Sequence, residues 1–461
     1  MATAVASRAE WISAERVREL GRSVADPEGF RARRADAFER FLRLPIEPDP
    51  LYRGYGYFTN VDLSGLDPET SGSPVVLPPA PEGTVRVVHD ASGSRLSLPA
   101  ALTEAGVRLS ALGRTSDARS LQRFYEVEEA PDRLSALSNA LINRGYVLEV
   151  PERLRSAVHV QDLTVLSRPH EALSVRRLLR VGDQSQLLVS EEVYSTADDP
   201  GGQRFYASNS QLELGGGSKV VYVGHHVPDL QAVSVYQRAA TTGPGARLAW
   251  IWNGLGGFRT KARNRTRLVG QGSQVDDLQI FYGRGDQSYD SAVHLTHEGT
   301  DTHGQSITRG VFTDRARGMS RGLVRIDKHA NKTLSFISEH AMLMSRGARS
   351  DTIPILEILC RDVKATHSTS VHPVDPEQVF YLESRGISEA DAVRMIGEGF
   401  LSYVLDRSPV DGLRDLVYPT LEARWEGREL PWTGDARGAL PELAVTGSES
   451  APEWRFDAKL R

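Results

Sequence analysis

DTIPILEILCRDVKATHSTSVHPVDPEQVFYLESRGISEADAVRMIGEGF, residues 351 to 400, sets a strand, a lone histidine and two helix starts in close order. The apolar run Ile355 to Leu359 is short and predicts a buried strand. His367 stands alone a few residues later. Asp375 can cap a helix that has Pro376 at its first position, and Gly386 supplies its stop. Ser388 with Asp391 three residues on has the form of a capping box, Asp replacing the usual Glu. The helix it opens carries Val393, Ile396, Phe400 and Val404 on one stripe, which with Phe380 and Leu382 reads by default as the core of a small helical cap. A third helix follows, with Leu413, Leu416, Leu421 and Trp425; beyond Arg428 the chain is rich in Pro, Gly, Ser and Glu and reads as disordered.

Upstream, from about Val158 to Ala365, short apolar or alternating runs succeed one another: AVHVQDLTVLS, QLLVSEEVYS, SKVVYVGHHV, AVSVYQRA, ARLAWIWN, RGLVRID. Gly, Asn, Asp and Ser separate them, as expected of strands joined by tight turns. Gly270, Gly272, Gly283, Gly285, Gly299, Gly310, Gly318 and Gly322 suit a chain that turns a corner after each strand. A sandwich, a barrel and a parallel β-solenoid all fit that texture, and spacing alone does not separate them. Near the N-terminus, Trp11, Val17 and Leu20, then Phe30, Ala37, Phe38 and Phe41, mark two helices, with Asp26-Pro27-Glu28-Gly29 as the turn between them. Residues 64 to 81 read as a linker, and a further helix is expected from Asp132 to Arg144.

The net charge of -5 and pI near 6.2 argue against a nucleic-acid binder. The basic stretch Arg259 to Arg267 lacks interleaved aromatic residues for base stacking and reads as a solvated turn or strand edge. The N-terminus lacks a basic, then apolar, leader pattern and no long apolar run occurs, so no membrane contact and a cytoplasmic location are expected. Cys360 is the one cysteine; it excludes a disulfide framework and, beside an apolar run, reads as a core thiol.

No phosphate-binding GxxxxGK[ST] loop occurs. Gly318-Met319-Ser320-Arg321-Gly322 matches GxSxG by letters, but a strand follows it where a nucleophile elbow needs a helix, so its glycines read as two corners of a β-coil. His294, His297 and His303 invite a metal site, yet His294 and His297 lie an odd number of residues apart and point to opposite faces of a strand; the adjacent His225 and His226 do the same.

Four blocks, in order, resemble the C-terminal signature of the SufB/SufD family, scaffold proteins of the Suf iron-sulfur cluster assembly machine. They are Pro354 with Leu356-Glu357-Ile358, then Asp362-Val363-Lys364 leading to His367, then Glu377-Gln378-Val379-Phe380-Tyr381-Leu382, then Ser384-Arg385-Gly386-Ile387. The aromatic-rich connector from Leu51 adds a weaker match, with Tyr52 where the family has tryptophan. The resemblance implies a mainly β chain, a right-handed parallel β-helix core flanked by N-terminal and C-terminal α-helical regions. The divisions expected are an N-terminal helical region and connector over 1–63, a linker and mixed segment over 64–157, the β-helix over 158–374, a C-terminal helical domain over 375–427 and a tail from 428. At about 25 to 30 residues per coil and a strand spacing of about 4.8 Å, the core makes roughly seven coils and a rod near 35 Å long.

The same resemblance implies a SufD-like subunit that pairs with a SufB-like paralogue through the β-helix and transmits nucleotide-driven motion to that interface. A SufC-like ABC ATPase would dock on residues 375 to 405, with Phe380, Tyr381, Arg385, Val393, Ile396 and Phe400 on the docking side. His367 is the implied ligand for iron or a transient iron-sulfur cluster at the SufB interface, with no permanently bound cofactor and no catalysis by this chain itself. A cluster is normally held by about four thiolates, so a chain with one cysteine cannot enclose one alone. Thr366 and Ser368 flank the histidine where SufB has glutamates, which favours the SufD branch; Ala365 stands where SufD members often have cysteine. The alternatives are a SufB-like homodimeric scaffold, a β-helix carbohydrate-active enzyme and a free-standing interaction protein.

Overall fold

The computed structural model describes residues 12–47, 61, 63, 65–68, 72–111, 131–196, 202–432 and 444–445. Successive strands alternate between two sheets. One sheet holds, in parallel, Val158–Leu166, Gln186–Ser195, Lys219–Val227, Arg247–Gly254, Gln274–Gly283, His303–Phe312, Thr333–Leu343 and Val363–Pro373. The other holds the intervening strands, from Arg144–Val150 and Ala172–Val181 through Arg259–Leu268, Ser288–His297 and Arg317–Ile326 to Arg349–Ile358. The result is a parallel β-solenoid of about eight coils. Arg259 pairs with Ser288 and Ser288 with Arg317, so the chain advances one coil in 29 residues there.

Side-chain parity explains which sequences make these strands. In Arg259–Leu268, Ala262 and Leu268 enter the packed interior, Thr266 and Asn264 bond groups inside it, and the cations between them point outward. The basic stretch is therefore a central strand and not a turn or an edge. Lys261 reaches Glu47, Asp132 and Asp290, and Arg263 reaches Asp132, so acids beside the N-terminal helices answer its charge.

Helices cover both outer faces. α1 (Ala14–Ser23), capped by Ser13, and α2 (Glu28–Arg43) pack with α4 (Arg133–Ala140) on the second sheet, where Phe38, Phe41, Leu134 and Leu137 meet Phe205, Val233 and Val235. α3 (Ala100–Glu104) lies between two short strands. On the first sheet, α6 (Glu389–Leu405) and α7 (Leu413–Trp425) set Leu401, Val404, Leu416 and Leu421 against Val221, Val223, Ile251 and Ile280, while α5 (Pro376–Glu383) stands off with no buried residue. This cover explains why KVVYVGHHV is nearly continuous in apolar residues, since both of its faces are buried.

The two ends of the rod differ. At the N-terminal end, Gly93–Ser97 and Arg108–Ala111 pair antiparallel with the first coil and close both sheets. At the other end, Arg349–Ile358 and Val363–Pro373 each have a neighbour on one side only among the described residues. The apolar run Ile355 to Leu359, expected to be buried, is half-exposed, with Ile358 at 42% and Leu359 at 44%, because no further coil among the described residues covers it.

Other expectations shift too. Helix α4 stops at Ala140, and Arg144 already belongs to a strand, as does Val85, so both sheets begin before residue 158. Gly310, Gly318 and Gly322 lie inside strands, not at corners; a Cβ at Gly310 or Gly318 would strike the Phe312 ring and one at Gly322 the Ile337 side chain. The chain past Arg428 does not leave the fold at once: Trp432 is buried against Tyr194, its Nε1 donating to the Val76 carbonyl, and Ala444–Val445 pairs with Val410–Asp411. The connector over 51–60 lies outside the described residues.

Candidate functional site

The terminal strand Val363–Pro373 pairs with Thr333–Leu343 so that Ile337 lies beside His367 and Glu339 beside Thr369. Ile337 is fully buried in the solenoid interior, and residues paired across a parallel ladder face the same side. Ala365, His367, Thr369 and Val371 therefore face the bore. Across it, Thr352, Pro354 and Leu356 continue the columns of Ser320, Gly322 and Val324. His367 is exposed because its coil is the last among the described residues, and Ile355, Ile358, Leu359 and Val371 of that coil are exposed apolar residues too.

One layer beneath, Glu339 is buried; its Oε1 accepts from the Ser320 hydroxyl at 2.5 Å and its Oε2 has no partner. Burial pushes this carboxyl up to about 7. Cys360 lies in the turn between the last two strands, half-buried against the core, with Sγ 3.0 Å from Asn331 Oδ1. Among the described residues no three His, Cys, Asp or Glu side chains gather to hold a metal ion. His367 supplies one imidazole, so any cluster at this end needs ligands from outside the chain.

The outer face of the same strand is tied to the helices. His340 is 2.6 Å from Ser370 Oγ and 3.5 Å from Ser368 Oγ, and burial pushes it down to about 4, so it is neutral at pH 7. Arg309 is in register with His340, and its guanidinium lies 4.7 Å from the Phe400 ring and 4.5 Å from the Tyr403 ring of α6. His372 meets Phe400 edge-on. A run of contacts thus joins α6 to the strand that bears His367.

The residues expected on a docking face divide. Phe380 and Tyr381 on α5 are 70% and 56% exposed, with Arg385 over the Tyr381 ring, so they are not the core of a helical cap. Val393, Ile396 and Phe400 are only half-buried, because the buried face of α6 is turned to Ala392, Gly397, Leu401, Val404 and Leu405.

A family description, SUF system FeS cluster assembly, SufBD core domain, matches residues 164–400, from the early coils through α6. The chain belongs to the SufB/SufD family. Within it the chain is most like SufD. It is 28% identical to the iron-sulfur cluster assembly protein SufD of Bacillus subtilis over 433 residues, 90% of this chain and 98% of that protein. It is 30% identical to Escherichia coli SufD over 173 residues, 38% of this chain and 41% of that protein. A SufBD family protein of Staphylococcus saprophyticus is 25% identical over 298 residues, 63% of this chain and 62% of that protein. No helix among the described residues is long and apolar enough to cross a membrane.

The SufBD core of this chain also holds a polar layer inside the bore that sequence reasoning missed. Arg177 donates to both oxygens of Asp162 (Nε at 2.5 Å, Nη2 at 3.0 Å) and to Ser208, and its Nη1 lies 3.3 Å from Glu191. Glu191 also accepts from Tyr206, Ser208, Tyr222 and Arg238. Burial alone would push the Glu191 carboxyl up, but Arg177, His226 and Arg238 outweigh it and hold it well below the usual carboxylate range. Burial holds His226 down at about 4; its Nδ1 accepts from Trp252, which leaves the proton on Nε2, facing Glu191. His225, on the opposite face, meets Thr420 of α7. His294 and His297 also diverge: His297 bonds Thr302 and Ser335 inside, while His294 faces outward beside Arg265 and Arg267.

Further along, Asp277 accepts from Gln279 and Asn264, and burial raises it to about 7. Its folded value lies above its unfolded one, so stability is greatest below about pH 4 for this group and falls as pH rises toward 7. The loss is on the order of 3–4 kcal/mol. Urea midpoints measured at pH 5 and pH 8 should differ less for Asp277→Asn than for the parent chain; an unchanged difference would assign the slope elsewhere.

Proposed function

We propose that this chain is the SufD-like subunit of a cytoplasmic iron-sulfur cluster assembly complex. It pairs its open end with a SufB-like paralogue, binds a SufC-like ABC ATPase through α5 and α6, and presents His367 to iron or a nascent cluster passing through the shared interface. The cluster is cargo, and the chain acts as scaffold without catalysis of its own. The observation that carries this reading is the open terminal coil. Two strands there have one ladder partner each, exposed apolar residues flank them, and His367 faces the mouth. Unpaired strand edges of this kind are a template for another chain's strands.

The ATPase half of the reading rests on Phe380 and Tyr381, which stand exposed on a helix with no buried residue, and on Arg385, exposed in the turn that follows it. Motion of α6 would reach the His367 strand through Phe400, Arg309 and His340. Neutral imidazole is a suitable borderline ligand for iron, although Ala365 leaves no thiolate beside it on that face.

The test is co-expression with the SufB-like and SufC-like proteins of the same genome, followed by pull-down. The intact chain should retain both. Truncation before Asp375, or the pair Phe380→Asp and Tyr381→Asp on the exposed surface, should lose the ATPase by more than roughly tenfold while the paralogue stays bound. Capture of neither partner by the intact chain would sink the assembly reading, and a homodimer through the same strand edges would replace it with a self-paired scaffold.

A further inference from the structure

Two other carboxylates in the bore have a donor on each oxygen. Glu191 has Arg177 and Arg238, and Asp277 has an amide donor on each oxygen. Glu339 differs. It is 1% exposed, no cation lies within ion-pair distance of it among the described residues, and one oxygen is bare. Around it are Ser335, Ile337 and Ala341 of its own strand, all buried in the bore, and Gly322 across from it, where a Cβ would come within 3.3 Å of Oε1. Thr308, its ladder neighbour on the side away from the mouth, also has a buried hydroxyl without a partner. A buried carboxylate with neither a cation nor a full set of donors destabilises the fold. Its ladder neighbour on the mouth side is Thr369, and His367 faces the bore two residues along that same strand.

We propose that Glu339 is a second inward ligand of the open-end site, and that its carboxylate and the His367 imidazole together take a ferrous ion. The inference rests on the scaffold reading above and adds to it the class of cargo that this subunit contacts, ferrous iron in a mixed oxygen and nitrogen environment. Carboxylate and imidazole suit that ion, whereas a site built for a preformed cluster would be richer in thiolate. On binding, the Glu339 carboxyl gives its proton to solvent and its oxygen bonds the iron. Two protein ligands leave positions to be filled by water and by the chain that covers the mouth, so the site is completed only in the complex.

The experiment uses the full chain co-purified with its SufB-like partner and titrated with ferrous iron, without oxygen, against a competing chelator. Glu339→Gln and His367→Ala should each weaken binding by roughly tenfold or more, and combining them should add little, since both act on one ion. In the iron-free state Glu339→Gln should melt at the same temperature as the parent or higher, because it places a neutral amide where a carboxyl was buried. Weakened binding with a lowered melting temperature would mean a structural role and overturn the proposal. If Glu339→Gln binds iron like the parent while His367→Ala does not, the inference falls and the role of His367 stands. If neither variant changes binding, both fall, while the pull-down still decides the partner assignments independently.

Discussion

Arg177→Ala should destabilise the chain by about 3–5 kcal/mol in urea unfolding, because it leaves Asp162 and Glu191 facing each other in the bore without the cation between them. The three side chains are fully buried, so bulk solvent does little to screen the two carboxylates from each other. A change in core packing alone would give a similar number, and a second variant separates the two causes. Asp162→Leu combined with Arg177→Met removes one negative and one positive charge, and leaves Glu191 with Arg238. That pair should recover most of the stability lost in the single variant, since replacing a buried ion pair by apolar residues of similar volume is often neutral. If the double variant is as unstable as the single one, the loss comes from shape and not from unpaired charge.

Why this layer escaped the sequence reading is instructive. Two of its strands carry adjacent charged residues, Arg176-Arg177 in SVRRLLRV and Glu191-Glu192 in LVSEEVYS, and one member of each pair faces inward while the other faces out. Composition gives the pair, but only the register of neighbouring coils says which member enters the bore. The strand texture, the capped helices at Asp375 and Ser388 and the family blocks around His367 were legible because each depends on local spacing. The choice of a solenoid rested on resemblance, since the repeat resides in geometry more than in residue identity. Exposure of Ile355 to Leu359 was illegible for a related reason. Its apolar run has the composition of a covered strand, and nothing in it records that no coil comes after. Glu339 was hidden likewise, in an unremarkable alternation, SFISEHAML, whose inward face only pairing with Val363–Pro373 defines.

The coil repeat was nonetheless present in the glycines, and it makes the sharpest test of the fold. Gly182, Gly215, Gly243, Gly270 and Gly299 fall at the same corner of successive coils, each amide bonding a carbonyl of the coil before: Gly215 to Val181, Gly243 to Leu214, Gly270 to Thr242, Gly299 to Leu268. The ladder holds these backbones so close that a Cβ on Gly270 would lie 2.0 Å from the carbonyl carbon of Gly243, and one on Gly243 would lie 2.9 Å from that of Gly215. Gly270→Ala should therefore cost about 3 kcal/mol or more, read as a fall in the urea midpoint or as loss of soluble protein. Gly272, two residues away in the same turn, is the control. Its φ of +69 favours glycine, yet nothing lies within 4 Å of its Cβ position. Gly272→Ala should cost only about 1–2 kcal/mol, the penalty of a left-handed backbone alone. Because the two sites share one turn, the difference between them measures the coil-to-coil contact directly. Equal effects would mean that the corners yield, and that strand pairing rather than this close approach sets the pitch of the solenoid.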